Sequence, residues 1–141
     1  MNISKATKNM KIVFDTNVYL AAIKQDSYSW EQLKRSRPNG PYQLYISPEI
    51  ILEIRDKLEM KFKWNRFESS QYIDTILMYA KQVHPKQKVT NILNDKNDHI
   101  ILECALEVKA EIIVTADKEL LRLKEYKSTK IIHPSMIQYF K

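Results

Sequence analysis

The chain has 141 residues, 44% hydrophobic and 28% charged, which suits one domain at roughly 150 residues per domain and excludes a disordered chain. Glycine occurs once, at Gly40, and cysteine once, at Cys104; a phosphate-cradling loop needs several glycines, and one thiol forms neither an internal disulfide nor a cysteine zinc cluster. Lys plus Arg number 23 against 17 Asp plus Glu, a net +6 that fits a polyanionic partner such as nucleic acid or an acidic protein. No window approaches the roughly 18 apolar residues of a membrane span, and polar Met1–Asn9 lacks the apolar centre of a secretory signal. The chain therefore reads as a cytoplasmic protein with no membrane segment. A leader at residues 1–9 precedes one domain at 10–141, with Met1 or Met10 as the natural start.

In chain order, Lys11-Ile12-Val13-Phe14 is a β-branched apolar run that predicts a buried strand ending at Asp15. Asn17 to Ile23 begins a helix, continued or followed by Trp30 to Arg37. Pro38-Asn39-Gly40-Pro41 is a turn signal. Tyr42 to Ile46 is a second strand. Ser47-Pro48 then reads as a cap with proline at the first helical position, opening a helix to about Trp64 with Ile50, Ile51, Ile54 and Leu58 on its apolar face. A further helix spans about Glu68 to Val83 on Ile73, Ile76, Leu77 and Ala80, ended by His84-Pro85. Lys88 to Leu93 is ambiguous, with a short edge strand as one reading. Asn97 or Asp98 caps a helix carrying Ile101, Leu102, Ala105 and Val108. Glu111 to Thr115 is the clearest strand, followed by a short helix at Lys118 to Leu123, a strand around Lys130-Ile131-Ile132 and a last helix from Pro134. Strands alternating with helices imply crossover units and a mainly parallel sheet, an α/β fold.

That architecture gives some acids meaning. Asp15 and Asp117 follow the C-terminal ends of two strands, where open parallel sheets bind ligands; helix capping is the plain alternative for each. Glu53 lies among aliphatic residues in the second helix. Asp98 opens a later helix, with Asp95 one turn earlier. Four carboxylates brought together repel unless cations join them, and a hard divalent ion, Mg²⁺ or Mn²⁺, is the natural partner for an all-oxygen set.

These residues resemble the motifs of PIN-domain ribonucleases. Phe14-Asp15-Thr16-Asn17-Val18 is similar to that family's first motif and Ser47-Pro48-Glu49-Ile50-Ile51-Leu52-Glu53 to its second. Asn94-Asp95-Lys96-Asn97-Asp98 is similar to the third, and Ile113-Val114-Thr115-Ala116-Asp117-Lys118-Glu119-Leu120-Leu121 to the fourth. The motifs stand in the family's order over about Met10 to Phe140, with the VapC-like toxin components of toxin–antitoxin systems as the branch most alike. The resemblance implies a central parallel sheet of four or five strands in the order 3-2-1-4-5. It also implies metal-dependent cleavage of RNA, with Mg²⁺ or Mn²⁺ as cofactor, a small antitoxin partner and a homodimer. Carried over, Asp15, Glu53, Asp98 and Asp117 become the catalytic, metal-binding acids, and Asn17, Thr115, Asp95 and Glu119 supports of the pocket. Ala116 departs from the family's usual glycine and Glu119 from a usual aspartate, while Lys96 and His99 stand where proline and a small polar or acidic residue are more common.

Three histidines, His84, His99 and His133, lack ligand spacing and read as surface or capping residues; Cys104 reads as core. Lys57, Lys61, Lys63 and Arg66, interleaved with Phe62, Trp64 and Phe67, are candidates for tracking an RNA backbone with stacked bases, as is Lys118 in a second scattered set with Arg35, Arg37, Arg122 and Lys124. A solvated basic face over core or dimer-interface aromatics is the alternative. The leading function is a metal-dependent endoribonuclease acting as a toxin. An RNA-processing nuclease without an antitoxin, or a catalytically weak RNA- or protein-binding module, is the alternative. A phospho-accepting receiver is disfavoured because Tyr45-Ile46-Ser47 offers no acceptor Asp, and a haloacid-dehalogenase-type phosphatase because Asn17 stands where it needs a second Asp.

Overall fold

The computed structural model describes residues 10–36 and 40–139; the leader, Arg37 of the expected second helix and basic set, and the Pro38-Asn39 half of the turn signal lie outside them. Six strands form one sheet: β1 (Met10–Phe14), β2 (Tyr42–Ile46), β3 (Ala80–Gln82), β4 (Ile112–Val114), β5 (Glu125–Tyr126) and β6 (Thr129–Ile132). Their order is β3-β2-β1-β4-β6-β5. All neighbours pair in parallel except β5, which pairs antiparallel with β6. With two-residue β5 set aside, the five parallel strands take the order 3-2-1-4-5. The helices are α1 (Thr16–Ala21), α2 (Tyr28–Arg35), α3 (Pro48–Met60), α4 (Arg66–Leu77), α5 (Lys96–Val108) and α6 (Lys118–Leu123), and a 3₁₀ turn spans Pro134–Tyr139.

The central strands are buried on both faces, as parallel strands sandwiched between helices must be. Ile12, Val13 and Phe14 of β1 and all of β4 lie in the core, and Ile12 sits in register between Leu44 and Ile112. The Ser47 hydroxyl caps α3 by accepting from the Ile50 N–H, and Ile50, Ile54 and Leu58 are fully buried at helical spacing. The core face of α5 is broader: Ile101, Leu102, Cys104 and Ala105 are all inaccessible. The Cys104 thiol is pushed up to about 12 by burial, in keeping with an inert core residue.

Several element boundaries depart from the sequence reading. The helix expected from Glu68 to Val83 ends at Leu77, and Ala80–Gln82 is the edge strand β3. Ile73, Ile76 and Ala80 are all buried, so the apolar spacing runs unbroken across the boundary. What separates strand from helix is the ladder: Ala80 pairs with Leu44 and Gln82 with Ile46, and the Val83 N–H donates to Ile46 O at 2.8 Å. Lys88 to Leu93 forms no strand; with β2's edge taken by β3, Val89 plugs the core from a loop. α3 stops at Met60 because Lys63 adopts a positive φ of 60° and the Trp64 N–H turns back to Leu58 O. Of the two readings of the N-terminal helical stretch, the structure takes two helices in succession, α1 and α2, the second capped by Ser27; the last segment, expected as a helix, is 3₁₀.

Left-handed backbone in this chain falls on residues other than glycine: Lys63, Asn91, Lys109, Lys124 and Lys127 have φ between 54 and 62°. Among the described residues no helix is long and apolar enough to cross a membrane. Because Ile113 is inaccessible in the middle of β4, Ile113→Ala is expected to cost about 2–5 kcal/mol, read as a lowered midpoint with unchanged slope in urea unfolding.

Candidate active site

The carboxyl ends of β1 and β4 are laced together directly. The Asp15 N–H donates to Val114 O at 2.9 Å, and the Thr115 N–H to Ile132 O at 2.9 Å. The inaccessible Thr115 hydroxyl donates to Asp15 Oδ2 at 2.8 Å and accepts from the Asp117 N–H at 2.9 Å. Asp15 occupies the N-cap position of α1 but makes no side-chain cap bond, so capping does not explain it. Asp117 does cap α6, its Oδ1 accepting from the Glu119 and Leu120 N–H groups at 2.8 and 3.1 Å.

Asp98 comes to the same place from the first turn of α5. The cap of that helix is Asp95 rather than Asn97 or Asp98: Asp95 Oδ1 accepts from the Asn97 N–H at 2.9 Å. This frees the Asp98 carboxyl, which is buried, with Oδ2 lacking a hydrogen-bond partner among the described residues. Burial pushes it up to about 7, helped by the negative charges of Asp117, Asp15, Asp95 and Glu119. Asp15 is raised by its own burial, an effect opposed by the Thr115 hydrogen bond, reinforced by Asp117 and offset in part by the Lys57 charge. Three strand- and helix-borne aspartates thus share one crevice and feel one another.

Glu53, half-buried on α3, accepts a hydrogen bond from the Thr16 hydroxyl. One turn on, Lys57 Nζ donates to Asn17 Oδ1 at 3.2 Å. Glu119 Oε1 accepts from the Asn94 and Asp95 N–H groups at 3.2 and 3.4 Å, tying the loop before α5 to α6. The sequence reading gave Thr16 no role. Its signal was a hydroxyl placed between Asp15 and Asn17, where a buried residue has a carboxylate within reach.

The basic run divides. Lys57 reaches the crevice, whereas Arg66 Nε is committed to Glu59 Oε2 at 2.8 Å, holding that carboxylate below its ordinary range. Lys61, Lys63 and Lys118 are exposed. Phe62, Trp64 and Tyr72 stack edge-on in sequence, and Phe67 is 69% exposed. His84 and His133 are exposed, while His99 is buried and accepts the Leu93 N–H at Nε2, 3.1 Å.

Among the described residues no three carboxylate, imidazole or thiol groups converge on one point as a ready metal cage. The donor set nonetheless fits a small hard cation, which keeps several waters and is held through one or two carboxylates plus substrate phosphate. The unpartnered Asp98 Oδ2 and the mutual repulsion of Asp15, Asp98 and Asp117 are what such an ion relieves.

A parallel sheet in this order, with acids gathered at its carboxyl edge, defines the class. Residues 11–119 match the PIN domain, and the chain belongs to the PIN-domain family, whose members are nucleases. The fold is shared with the VapBC2 complex from Rickettsia felis bound to a DNA fragment from their promoter, at TM-score 0.62 and 16% identity over 86% of this chain and 97% of that one. It is shared also with PAE2754 from Pyrobaculum aerophilum, at TM-score 0.57 and 16% identity over 93% and 88%. No curated protein matches the chain in sequence.

The raised Asp98 has a stability consequence. The folded state binds that proton more tightly than the unfolded state, so metal-free stability falls as pH rises from about 4 to about 7. Asp98→Asn removes the penalty. At about 1 kcal/mol of relieved burial and repulsion, the variant in EDTA is expected to melt about 3 °C above wild type at pH 8, with no gain at pH 4. Equal melting at both pH values would contradict the crowding.

Proposed function

We propose that this PIN-domain protein is a metal-dependent endoribonuclease and the toxin of a toxin–antitoxin pair, its nuclease domain spanning residues 10–141 after a leader at 1–9. The observation that carries the reading is the crowding of Asp15, Asp98 and Asp117, with a buried Asp98 oxygen unpaired among the described residues. In this reading those aspartates hold Mg²⁺ or Mn²⁺. When bound, such an ion supplies a nucleophilic water at neutral pH and charge for the leaving oxygen.

The chain's own residues do the rest. Thr115 fixes the Asp15 carboxylate and the turn that delivers Asp117. Glu53, oriented by the Thr16 hydroxyl, takes up the proton of the attacking water. Lys57, steadied by Asn17, brings a positive charge to the scissile phosphate, and Asp95 and Glu119 brace the entrance of α5. Lys61, Lys63, Arg66 and Lys118 remain candidates for phosphate contacts further along the RNA. A small antitoxin covering the crevice, a homodimer and a cytoplasmic setting complete the proposal. The VapBC2 complex among the proteins of shared fold supports a paired partner.

The test is cleavage of a mixed panel of tRNA and mRNA with Mn²⁺, with Mg²⁺ and with EDTA. Wild type is expected to cut only with metal, and Asp15→Asn and Asp117→Asn to lose about 100-fold or more. Variants that cut at the wild-type rate would sink the assignment. Growth arrest on induction, relieved by a neighbouring gene product, separates a toxin from a processing nuclease.

A further inference from the structure

Between α5 and the loop that precedes it lies a cleft of about 690 Å³, whose walls include Val89, Ile92, Leu93, His99, Ile100 and Glu103. Its polar groups are built rather than incidental. His99 is only 8% exposed and Glu103 only 6%. His99 Nε2 accepts the Leu93 N–H at 3.1 Å, so a neutral ring carries its proton on Nδ1; among the described residues nothing accepts from that nitrogen. Glu103 Oε2 accepts the Val89 N–H at 2.9 Å, and Oε1 lies 4.0 Å from the Nζ of Lys88, a long approach by a largely exposed side chain. The cleft therefore combines apolar walls, a free N–H donor and a carboxylate oxygen with unused acceptor capacity. Exposed Lys88 and Lys96 stand at its margin.

The cleft adjoins the acidic crevice. Asp98 faces the crevice, and His99, the next residue, lines the cleft. The loop forming the cleft's outer wall is bonded to α6 through Asn94, Asp95 and Glu119. We infer that the cleft receives a nucleobase flanking the scissile phosphate, its amino group donating to Glu103 and a ring acceptor facing His99, with Lys88 and Lys96 on the adjoining phosphates. This rests on the nuclease reading above. Single-stranded RNA is recognised by such capture of unstacked bases on their hydrogen-bonding edges. An acidic peptide fits poorly, because the buried Glu103 carboxylate would repel it, whereas a base amine satisfies it. The chemistry also sets a preference: adenine and cytosine carry an exocyclic amine and uracil does not.

The test uses ¹⁵N-labelled protein in EDTA, which prevents metal-dependent cleavage, titrated with six-residue oligo-A, oligo-C and oligo-U. Shifts are expected at the Val89 and Leu93 amides, with A and C bound about fivefold more tightly than U. Glu103→Gln is expected to erase that ratio. Ile92→Trp, on an exposed loop position, fills the cleft without touching the core and is expected to weaken all three. Equal affinities, no response at those amides, or the same shifts from a hexaglutamate peptide would overturn the proposal. Cleavage of a randomised RNA with Mn²⁺ is read in parallel. Cutting with no amide response removes the base site and leaves the nuclease; a base-selective response with no cutting removes the nuclease and leaves the base site.

Discussion

One hydroxyl holds the centre of this molecule together. Thr115, at the end of β4, donates to the Asp15 carboxylate at the end of β1 and accepts the backbone N–H of Asp117. Because β1 and β4 are adjacent and parallel, their carboxyl ends emerge side by side, and a side chain two bonds long spans the gap. The crossover through α5 then has one place to enter, and it brings Asp98 there. Parallel topology accordingly does chemical work: it collects from distant stretches of sequence groups that would otherwise stay apart in water.

The collection is costly to the fold. Buried aspartates raise one another's proton affinity, and each raised carboxyl is a stability loss at neutral pH that hydrophobic burial elsewhere must offset. The protein limits the loss by giving several carboxylates donors: Asp15 has Thr115, Glu53 has Thr16, and Asp117 has the first turn of α6. Asp98 is the exception: among the described residues it is the acid with an inaccessible oxygen lacking a hydrogen-bond partner.

Much of this was legible in the sequence, for physical reasons. β1 and β4 announce themselves as short β-branched runs because both faces are buried, and α3 by Ser47-Pro48 and its aliphatic spacing. Asp15, Asp117 and Asp98 drew attention because strand ends and helix starts mark where an α/β sheet presents ligands, and Glu53 because of its aliphatic flanks and the motif it closes. β3 was not legible: at three residues with only Ala80 buried, it has no alternation to read, and its apolar residue falls in step with the helix before it. The Asp95 cap and the Thr16 bond to Glu53 were equally hidden. A cap a few residues earlier changes no periodicity, and a hydroxyl's partner lies in another element.

The single glycine has a consequence for how the protein meets a polyanion. Four of the five described left-handed positions are exposed lysines, Lys63, Lys109, Lys124 and Lys127, each bearing a backbone cost of about 1–2 kcal/mol that glycine would avoid. Glycine there would also widen the unfolded ensemble, returning much of that gain. What lysine adds is a charge projected from a turn that cannot readily move. These lysines are four of the 23 Lys plus Arg of the chain. The bends that reverse the chain thus also set the points from which flexible lysine stems carry positive charge into solvent, where it adds to the long-range field of a basic protein.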